Sequence, residues 1–585
     1  MNQIIMYKQH AIFPLFKVES QSMKNQKILI FSMYLLLSSV VIAEEIPFTI
    51  FHTNDLHSHF DGVKVPVGSS YEKRGGFARL TTLISDLKKK KSNELIFGID
   101  AGDFFAGTIF SGIALSKDPA FPEYQFFIEN QYSLITLGNH EFDAQNDGLE
   151  IMLSKADKYK MDFPIIATNL YVTHGSSLKK YLGEDKLIRP YLIREMKSKT
   201  GNLRVGFLGI LGPDGCLVSR STRGDVHFLG FNDEKSKEDM DELVLLLNNT
   251  IENLKKQKKV DIVILSMHGG GKESHKLASR LNGLDVLISG HTHKQEFAIV
   301  NNVIINQTGS YGENLGVLEL LFNKEKKQVK LKDQKNSHVI TVSDKIAEDL
   351  IWKKRIENWR KKSFELMNEK TNPDEIVFTP KNSYIRSSKI PNPMGELVTK
   401  SILTQLNKNL PINDKVDAYI TSMGLVRTSF HKNIPYSRAE IFEAVSIGFD
   451  SKKVPGVDVV SFYLTPKEVK LIIGFMEIYT FISTSFSPAI SPNLSFKIRR
   501  WGIPFINRIH DITLDGKPLE EFERNIKIAT NRFVVLNIET VRKITRGWVD
   551  LNPKNEKGES TENYPIHPKE YALMTEHFLA NPNHY

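Results

Sequence analysis

The chain has 585 residues, of which 41% are hydrophobic and 25% are charged. These ordinary globular values exclude a mainly disordered protein, and the length indicates two or more domains. The formal net charge of +9 lies partly in lysine runs at 88–91 and 255–259, at the ends of helix-like stretches. This placement is typical of solvated helix ends and disfavours a nucleic-acid-binding surface, although a basic surface can attract anionic substrates.

The N-terminal segment 1–43 is predicted to be an extension followed by a secretory signal peptide. A positive stretch after Met23 precedes an apolar run from Ile28 to Ala43, and cleavage is expected after Ala43. The run is shorter than the roughly 18–20 apolar residues of a spanning helix, so stable membrane insertion is not expected. Residues 1–22 are either a long n-region or lie upstream of the start that is used. The predicted location is the periplasm.

Residues 44–342 are predicted to form an α/β domain. In "GGFARLTTLISDLKKKK" the apolar residues fall on one face of a helix. Buried strands that end in polar loops are predicted in the stretches "ELIFGIDAGD", "YSLITLGNHEFD", "LRVGFLGILGP", "VDIVILSMHGGG", "LDVLISGHTH" and "NVIINQTGSYG". Near-continuous apolar strands separated by helices indicate sheets that are covered by helices on their outer faces.

A connecting helix and a second domain are predicted after this region. Residues 343–373 are charged, have a helical pattern and end at Asn372-Pro373, which indicates a linker helix. Residues 374–585 mix helices with strands and are predicted to form a second α/β domain. The single cysteine, Cys216, excludes an intramolecular disulfide and is expected to be a small buried side chain.

Polar residues follow five of the apolar runs in the first domain. They are Asp55 and His57 in D-x-H, Asp103 in G-D, Asn139 and His140 in G-N-H-E, His268 in M-H-G-G, and His291 and His293 in G-H-T-H. Carboxylate, amide and imidazole ligands without thiolate suit Mn, Zn, Fe or Co. Two such ions sharing a bridging carboxylate form a centre suited to phosphoryl transfer.

The series "NDLHSH", "DAGDFFAGT", "LGNHEFD", "SMHGG" and "SGHTH" resembles the calcineurin-like dimetal phosphoesterases, and within them the bacterial 5'-nucleotidase and UDP-sugar hydrolase family. The resemblance implies an N-terminal four-layer αββα sandwich, a connecting helix and a C-terminal substrate-binding domain. It also implies two divalent metal ions. One ion would be held by Asp55, His57 and His293, the other by Asn139, His268 and His291, and both by Asp103.

The same resemblance implies a catalytic dyad outside the metal shell, formed by His140 and Asp143. A carboxylate partner would orient the imidazole and keep it cationic, to stabilise phosphoryl oxygens or assist the leaving group. His52 and His59 match no ligand position, and we expect supporting or structural roles. Glu141 and the glycines at 269–271 are expected to shape loops.

The second domain resembles the family's nucleotide-binding domain more thinly. "IRSSKIPNPMGELVTKSI" and "VDAYITSMGLVRTSF" match its arginine-bearing segments, which implies that Arg386 and Arg427 contact phosphate. "ATNRFVV" supplies Phe533 as one base-stacking aromatic, but the family's G-G-D-G-Y does not follow. Ile447 occupies the other aromatic position, so either Phe449 replaces it or the pocket no longer reads a base.

The function implied is that of a secreted hydrolase of nucleotide phosphoesters. The substrates would be nucleoside monophosphates, UDP-sugars or 2',3'-cyclic nucleotides, attacked in line by a metal-bound hydroxide. Two alternatives stay open at this point. One is a related hydrolase of sulfur–sulfur bonds on a carrier protein, and the other is a surface binding protein without catalysis. The sequence leaves the native metals and the oligomeric state open.

Overall fold

The computed structural model describes residues 45–585 apart from 69, 160–163, 200, 236, 334–337, 391, 482–485, 500, 504–506 and 583–584. The predicted signal peptide and its cleavage site therefore lie outside the described residues. Within the described part, no helix is long and apolar enough to cross a membrane.

Two large sheets form the frame of the N-terminal domain. The first runs, from edge to edge, through Gln328–Leu331, Asn314–Asn323, Glu45–Thr53, Leu95–Asp100, Leu134–Thr136, Ile165–Ile166 and Ile188–Arg189, with Val339–Thr341 paired to Asn314–Asn323. The second runs through Gln295–Val300, Val303–Thr308, Val286–Ser289, Ile262–His268, Gly201–Leu211 and Leu192–Ser198. The strands predicted from the apolar runs are thereby confirmed.

The two sheets pack face to face through an apolar layer. Phe97 and Phe207, one from each sheet, meet edge to face with ring centroids 5.5 Å apart. Helices cover the outer faces of both sheets, and they include Phe77–Lys90, Pro122–Glu129 and Gln145–Lys158 on one side and Met240–Lys256 and Lys272–Arg280 on the other. The predicted helix–sheet–sheet–helix sandwich is confirmed. Cys216 is buried, as expected.

The direction of the central strands decides where the polar loops meet. Glu45–Thr53, Leu95–Asp100 and Leu134–Thr136 are parallel neighbours in the first sheet. Gly201–Leu211, Ile262–His268 and Val286–Ser289 are parallel neighbours in the second. Carboxyl ends of parallel strands share one edge of a sheet, so the loops of both sheets converge on one end of the sandwich.

A long helix, Leu350–Leu366, lies inside the predicted linker segment and is held against the first domain. Its Trp352 is buried and packs against the rings of Phe77 and Phe126. The Trp352 Nε1 donates a hydrogen bond to Glu129 at 3.0 Å, and Arg355 forms an ion pair with the same carboxylate. The helix therefore belongs to the packing of the N-terminal domain.

The C-terminal domain is built on a five-stranded mixed sheet. Its order is Pro488–Ile490, Ala418–Ser422, Ile526–Asn531, Asp458–Leu464 and Ile566–Lys569. A smaller sheet comprises Leu494–Ile498, Ile509–Leu514 and Lys517–Pro518. The α-helices of this domain are Pro393–Asn409, Arg438–Ala444, Pro466–Tyr479, Arg532–Leu536, Ile538–Ile544 and Glu570–Ala580. The predicted α/β class is confirmed for this half as well.

Short elements complete the fold. They are the paired strands Val63–Val67 with Ser70–Arg74, Leu170–Val172 with Val226–Phe228, Phe231–Asn232 with Lys237–Glu238 and Ile376–Phe378 with Tyr436–Ser437, and the helical segments Ser111–Leu115, Pro213–Val218, His140–Phe142, Ser177–Tyr181, Ile412–Asp414 and Leu519–Glu521.

A buried carboxyl in the second domain makes its stability depend on pH. Glu570 is 1% exposed and is bonded to the Tyr419 hydroxyl and the Asn531 amide. Burial raises the pKa of Glu570 to about 7 from its ordinary value of 4.5. The folded protein therefore retains a proton that the unfolded chain loses between these pH values, so stability falls as pH rises through this window.

Replacing this group removes the effect. Between pH 5 and pH 8 the unfolding free energy of the unmodified protein should fall by about 2 kcal/mol more than that of Glu570→Gln, as the pKa difference implies. Urea titrations at both pH values measure the change. Glu576→Gln, on the exposed face of the same helix, should keep the original pH dependence. If the unfolding free energy of Glu570→Gln changed with pH as much as that of the unmodified protein, the assignment would be contradicted.

Candidate metal centre

The seven residues predicted as metal ligands come together at the shared end of the two sheets. Three side chains form a first group, Asp55, His57 and His293, whose donor atoms lie within 4.8 Å of one another. His57 Nε2 and His293 Nε2 are 3.1 Å apart, and His293 Nε2 is 3.3 Å from Asp55 Oδ1.

A second group is formed by Asp103, His268 and His291, again within 4.8 Å. His268 Nε2 lies 3.1 Å from Asp103 Oδ2 and 3.2 Å from Asn139 Oδ1. Asn139 therefore lies beside the second group, where the family resemblance implies a ligand.

Asp103 lies between the two groups. Its Oδ2 is 3.1 Å from His268 Nε2 and 3.7 Å from His57 Nε2. Burial alone would raise the pKa of Asp103, but the neighbouring histidines, His268 first, hold that pKa well below its usual range. An ionised carboxylate between two ligand groups is the arrangement that a bridging ligand requires.

The histidine tautomers fit divalent metal ions. His57 Nδ1 lies 3.1 Å from the Ala106 carbonyl oxygen, and His268 Nδ1 lies 2.8 Å from that of Ala101. A ring whose Nδ1–H donates to a carbonyl presents the lone pair of Nε2, which here faces the centre. Burial lowers the pKa of His57 well below its ordinary value, which keeps the ring neutral and able to ligate.

Backbone strain marks the same loops. Asp55, His57, Asp103, His291 and His293 all have positive φ, between 47° and 84°. Non-glycine residues in this region cost about 1–3 kcal/mol each and persist where the surroundings impose them. Five of the seven candidate ligands are therefore held in backbone conformations that are locally strained.

Glu141 fixes the loops that carry Asp103 and Asn139. Its carboxylate accepts hydrogen bonds from the backbone N–H groups of Asp103, at 3.1 Å, and Phe105, at 3.0 Å, and from that of Gly138. A Cβ at Gly138 would lie 2.1 Å from Asp103 Oδ1, which explains the glycine before Asn139. The expected loop-shaping role of Glu141 is confirmed.

The predicted dyad is assembled beside the ligand groups. His140 Nδ1 is 2.8 Å from Asp143 Oδ2, and His140 Nε2 is 4.0 Å from Asp103 Oδ2. The imidazole edge that is not bonded to Asp143 thus faces the centre. The backbone N–H of His140 also donates to Asp103 Oδ1 at 2.8 Å.

His52 and His59 stay outside both groups. His52 Nε2 is 2.6 Å from the Asn306 side-chain oxygen, and burial lowers its pKa to about 4. His59 stacks on the ring of Tyr311 with centroids 4.0 Å apart. The supporting roles expected for both histidines agree with these contacts.

Two residues at the centre were not singled out from the sequence. Asp214 Oδ2 lies 2.9 Å from His291 Nε2, and Tyr311 contacts the rings of His57 and His293. Both follow strands of the second sheet, Gly201–Leu211 and Val303–Thr308. The strand-end rule that identified the histidines could have identified both.

The two arginines reach the centre from the second domain. Arg427 Nη2 lies 3.3 Å from His57 Nε2. Arg386 donates hydrogen bonds to the carbonyl oxygens of Val426 and Met423, and Arg427 is close enough to act on it electrostatically. In the described chain neither guanidinium forms an ion pair with a carboxylate. Two adjacent, uncompensated cations form a site for an anion.

Phe533 and Ile447 line the same cavity as the two arginines and four of the candidate ligands, Asp103, Asn139, His291 and His293. Phe449 does not line it. Its ring instead stacks on Phe105 of the first domain, with centroids 5.5 Å apart and planes 6° from parallel. Of the two possibilities left open by the sequence, replacement of the missing aromatic by Phe449 is therefore not the arrangement seen.

Comparison with known proteins agrees with this geometry. Residues 48–295 match the family model described as calcineurin-like phosphoesterase. The chain is 24% identical over 382 residues to the trifunctional nucleotide phosphoesterase protein YfkN of Bacillus subtilis, covering 61% of this chain and 23% of that one. It is 26% identical over 335 residues to human 5'-nucleotidase, covering 53% and 52%. The chain thus spans about half or less of these relatives.

A solved structure extends the likeness of fold to both domains. The crystal structure of a 5'-nucleotidase precursor from Thermus thermophilus superposes with a TM-score of 0.69 at 19% identity, covering 92% of this chain and 96% of that one. At this identity the likeness shows the fold alone.

Proposed function

Residues 48–295 match the calcineurin-like phosphoesterase family, and from this premise we propose that the protein is an exported, dimetal hydrolase of nucleotide phosphoesters. The types considered are 5'-nucleotidase, UDP-sugar hydrolase and 2',3'-cyclic-nucleotide phosphodiesterase. The observation that carries the proposal is that two ligand groups share Asp103 and are faced by Arg427. Export rests on the N-terminal sequence pattern alone.

The ligand groups are suited to two divalent cations. Asp55, His57 and His293 would hold one, the group around His268 would hold the other, and Asp103 would contact both. Bound cations would activate water and neutralise charge on the phosphoryl oxygens. The metal identity is set by availability, because these ligands accept Mn, Zn, Fe or Co.

The protein's own side chains have separate tasks. Arg427 and Arg386 would orient the phosphate, since a guanidinium presents several donors in a fixed plane. His140, oriented by Asp143, would donate a hydrogen bond or a proton to the oxygen of the departing alcohol. Phe533 would contact the group beyond the phosphate, with Ile447 as its apolar neighbour.

Phosphate release from a substrate panel tests the proposal. The panel comprises AMP, UDP-glucose with a coupled phosphatase, 2',3'-cyclic AMP and an aryl phosphate, each with Mn and with chelator. Chelator-sensitive turnover of a nucleotide is expected. Turnover of the aryl phosphate alone would support a phosphoesterase activity and reject nucleotides as substrates. No turnover by protein with bound metal would overturn the proposal and favour sulfur chemistry or a binding role.

Removal of Arg427 should weaken phosphate binding in particular. We expect Arg427→Ala to lower kcat/KM about 10- to 100-fold, because a charge-assisted hydrogen bond to phosphate contributes about 1.5–3 kcal/mol. Inhibition by inorganic phosphate should weaken in parallel, whereas metal content stays unchanged. Arg438→Ala, whose side chain pairs with Glu375 away from the cavity, is the matched control. A normal inhibition constant in Arg427→Ala would contradict the assignment.

A further inference from the structure

The cavity at the metal centre continues into the second domain. It measures about 600 Å³ and is lined by Asp103, Asn139 and His291 of the N-terminal domain. It is also lined by six apolar residues of the C-terminal domain that belong to that domain's apolar core or pack against it, Phe462, Leu464, Ile472, Phe475, Met476 and Ile528. We call the part of the cavity lined by these six residues the apolar chamber. Phe533 and Ile447, at the positions where the family's base contacts are expected, line the same cavity.

An open chamber inside a core is costly. Protein interiors are close-packed, and an unfilled core cavity destabilises the fold in proportion to its volume. Phe475 is 1% exposed and Ile528 is 2% exposed, so the wall of the chamber is formed by side chains that are almost fully buried. A space of this kind next to a reaction centre is typical of a ligand site.

Two hydroxyls give independent evidence of a ligand. Thr421 and Thr530 line the cavity and are 1% and 2% exposed, and the Oγ1 atom of each has no hydrogen-bond partner among the described residues. A buried hydroxyl without a partner costs free energy. Thr530 follows Ile528 by two residues on the strand Ile526–Asn531, so the two side chains lie on the same face of that strand.

The chemistry of the lining selects the kind of group that fits. A nucleobase carries polar edges that need hydrogen-bond partners when they are buried. The chamber side chains named above offer hydrocarbon, aromatic and thioether surfaces, which favour an alkyl, acyl or aryl group.

We propose that the apolar chamber binds a hydrocarbon group of the substrate, and that Thr421 and Thr530 hydrogen-bond a polar atom between this group and the phosphate. The substrate class is a phosphate ester that carries an alkyl, acyl or aryl group in addition to the part that contacts Phe533 and Ile447. The inference rests on the proposed function only in that the phosphate lies at the metal centre.

Binding of non-hydrolysable phosphonates tests the chamber without requiring turnover. Calorimetry on the Mn-loaded protein would compare methyl-, butyl-, hexyl- and nonylphosphonate. We expect the Kd to fall about fourfold per methylene, as for burial of a CH₂ group, until the chamber is full. Equal affinity for methyl- and nonylphosphonate would overturn the proposal.

A variant that fills the chamber supplies the matched comparison. Ile472 is half-buried on the helix Pro466–Tyr479, and Ile472→Trp should abolish the gain with chain length while leaving methylphosphonate affinity unchanged. Lys467→Trp, on the exposed side of the same helix, should retain the gain. If the affinity of Ile472→Trp rose with alkyl chain length as in the unmodified protein, the chamber would be excluded as the binding site.

The hydroxyls are tested by a polar analogue of equal length. N-hexanoyl-2-aminoethylphosphonate equals nonylphosphonate in chain length and has an amide, N–H and C=O, where nonylphosphonate has two methylenes. Thr530→Val should weaken binding of the carbonyl compound about threefold to tenfold, leave nonylphosphonate unchanged and not lower the unfolding free energy. Equal weakening of both ligands would reject the hydrogen bond. If affinity rises with chain length but no substrate is turned over, the chamber is supported and the proposed function is rejected. If substrates are turned over but affinity does not depend on chain length, the proposed function is supported and the chamber is rejected.

Discussion

Asp103→Asn is expected to abolish the paired metal centre and to lower kcat about a thousandfold or more. The carboxylate lies between the two ligand groups, and an amide cannot supply a second anionic oxygen to a bridge. Loss of metal-based charge stabilisation is worth several kcal/mol, which corresponds to this range. Metal analysis of the purified variant and phosphate release from its best substrate measure the two effects together.

A neighbouring carboxyl provides the control. Asp100 is fully buried three residues earlier, and burial raises its pKa to about 8, so it is neutral at pH 7. It accepts a hydrogen bond from the Gly102 backbone and from Thr53, which an asparagine can replace with little change. Asp100→Asn should keep both metal ions and most activity. Full metal content and activity in Asp103→Asn would refute the bridging role.

His140→Gln is expected to lower kcat about 10²- to 10⁴-fold with the metal content intact. The imidazole faces the centre but belongs to the pair with Asp143, so it would act on the substrate and not as a ligand. The range is that of a positioned acid or base. The loss should be smaller for an aryl phosphate, whose alcohol leaves without a proton.

Asp143 is a positioning residue in this scheme. Asp143→Asn should cost about 10- to 100-fold, the usual effect of losing a partner that orients an imidazole. Its signature is a changed pH dependence of kcat with KM nearly constant. Kinetic profiles of both variants on AMP and on an aryl phosphate distinguish these outcomes. Loss of metal from His140→Gln would instead identify His140 as a ligand.

The sequence was informative where chemistry depends on residue type at a strand end. The apolar runs predicted the central strands. The five motifs predicted that Asp55, Asp103 and His268 lie close together, because parallel strands share a carboxyl edge. Five of the ligands in these loops have positive φ, which no residue pattern in the sequence predicts. The expected roles of the individual ligands remain predictions.

The second domain was less predictable because its contacts depend on side chains far apart in sequence. Phe449 stacks on Phe105, more than three hundred residues away, and Arg427 reaches His57 across the same boundary. Neither contact has a local signature. Asp214 was missed for a related reason, since a single carboxylate after a strand is common without a partner such as His291.

The sequence by itself determined the fold class, the donor set and the order of the strand-end loops, because periodicity and ligand chemistry are local properties. Only the tertiary structure decided how the domains meet and what the cavity beyond the phosphate site can hold. Apolar side chains such as Phe462, Phe475 and Ile528 are the same in sequence whether they fill a core or line a chamber. The difference is a matter of packing, which depends on the positions of all the neighbours at once.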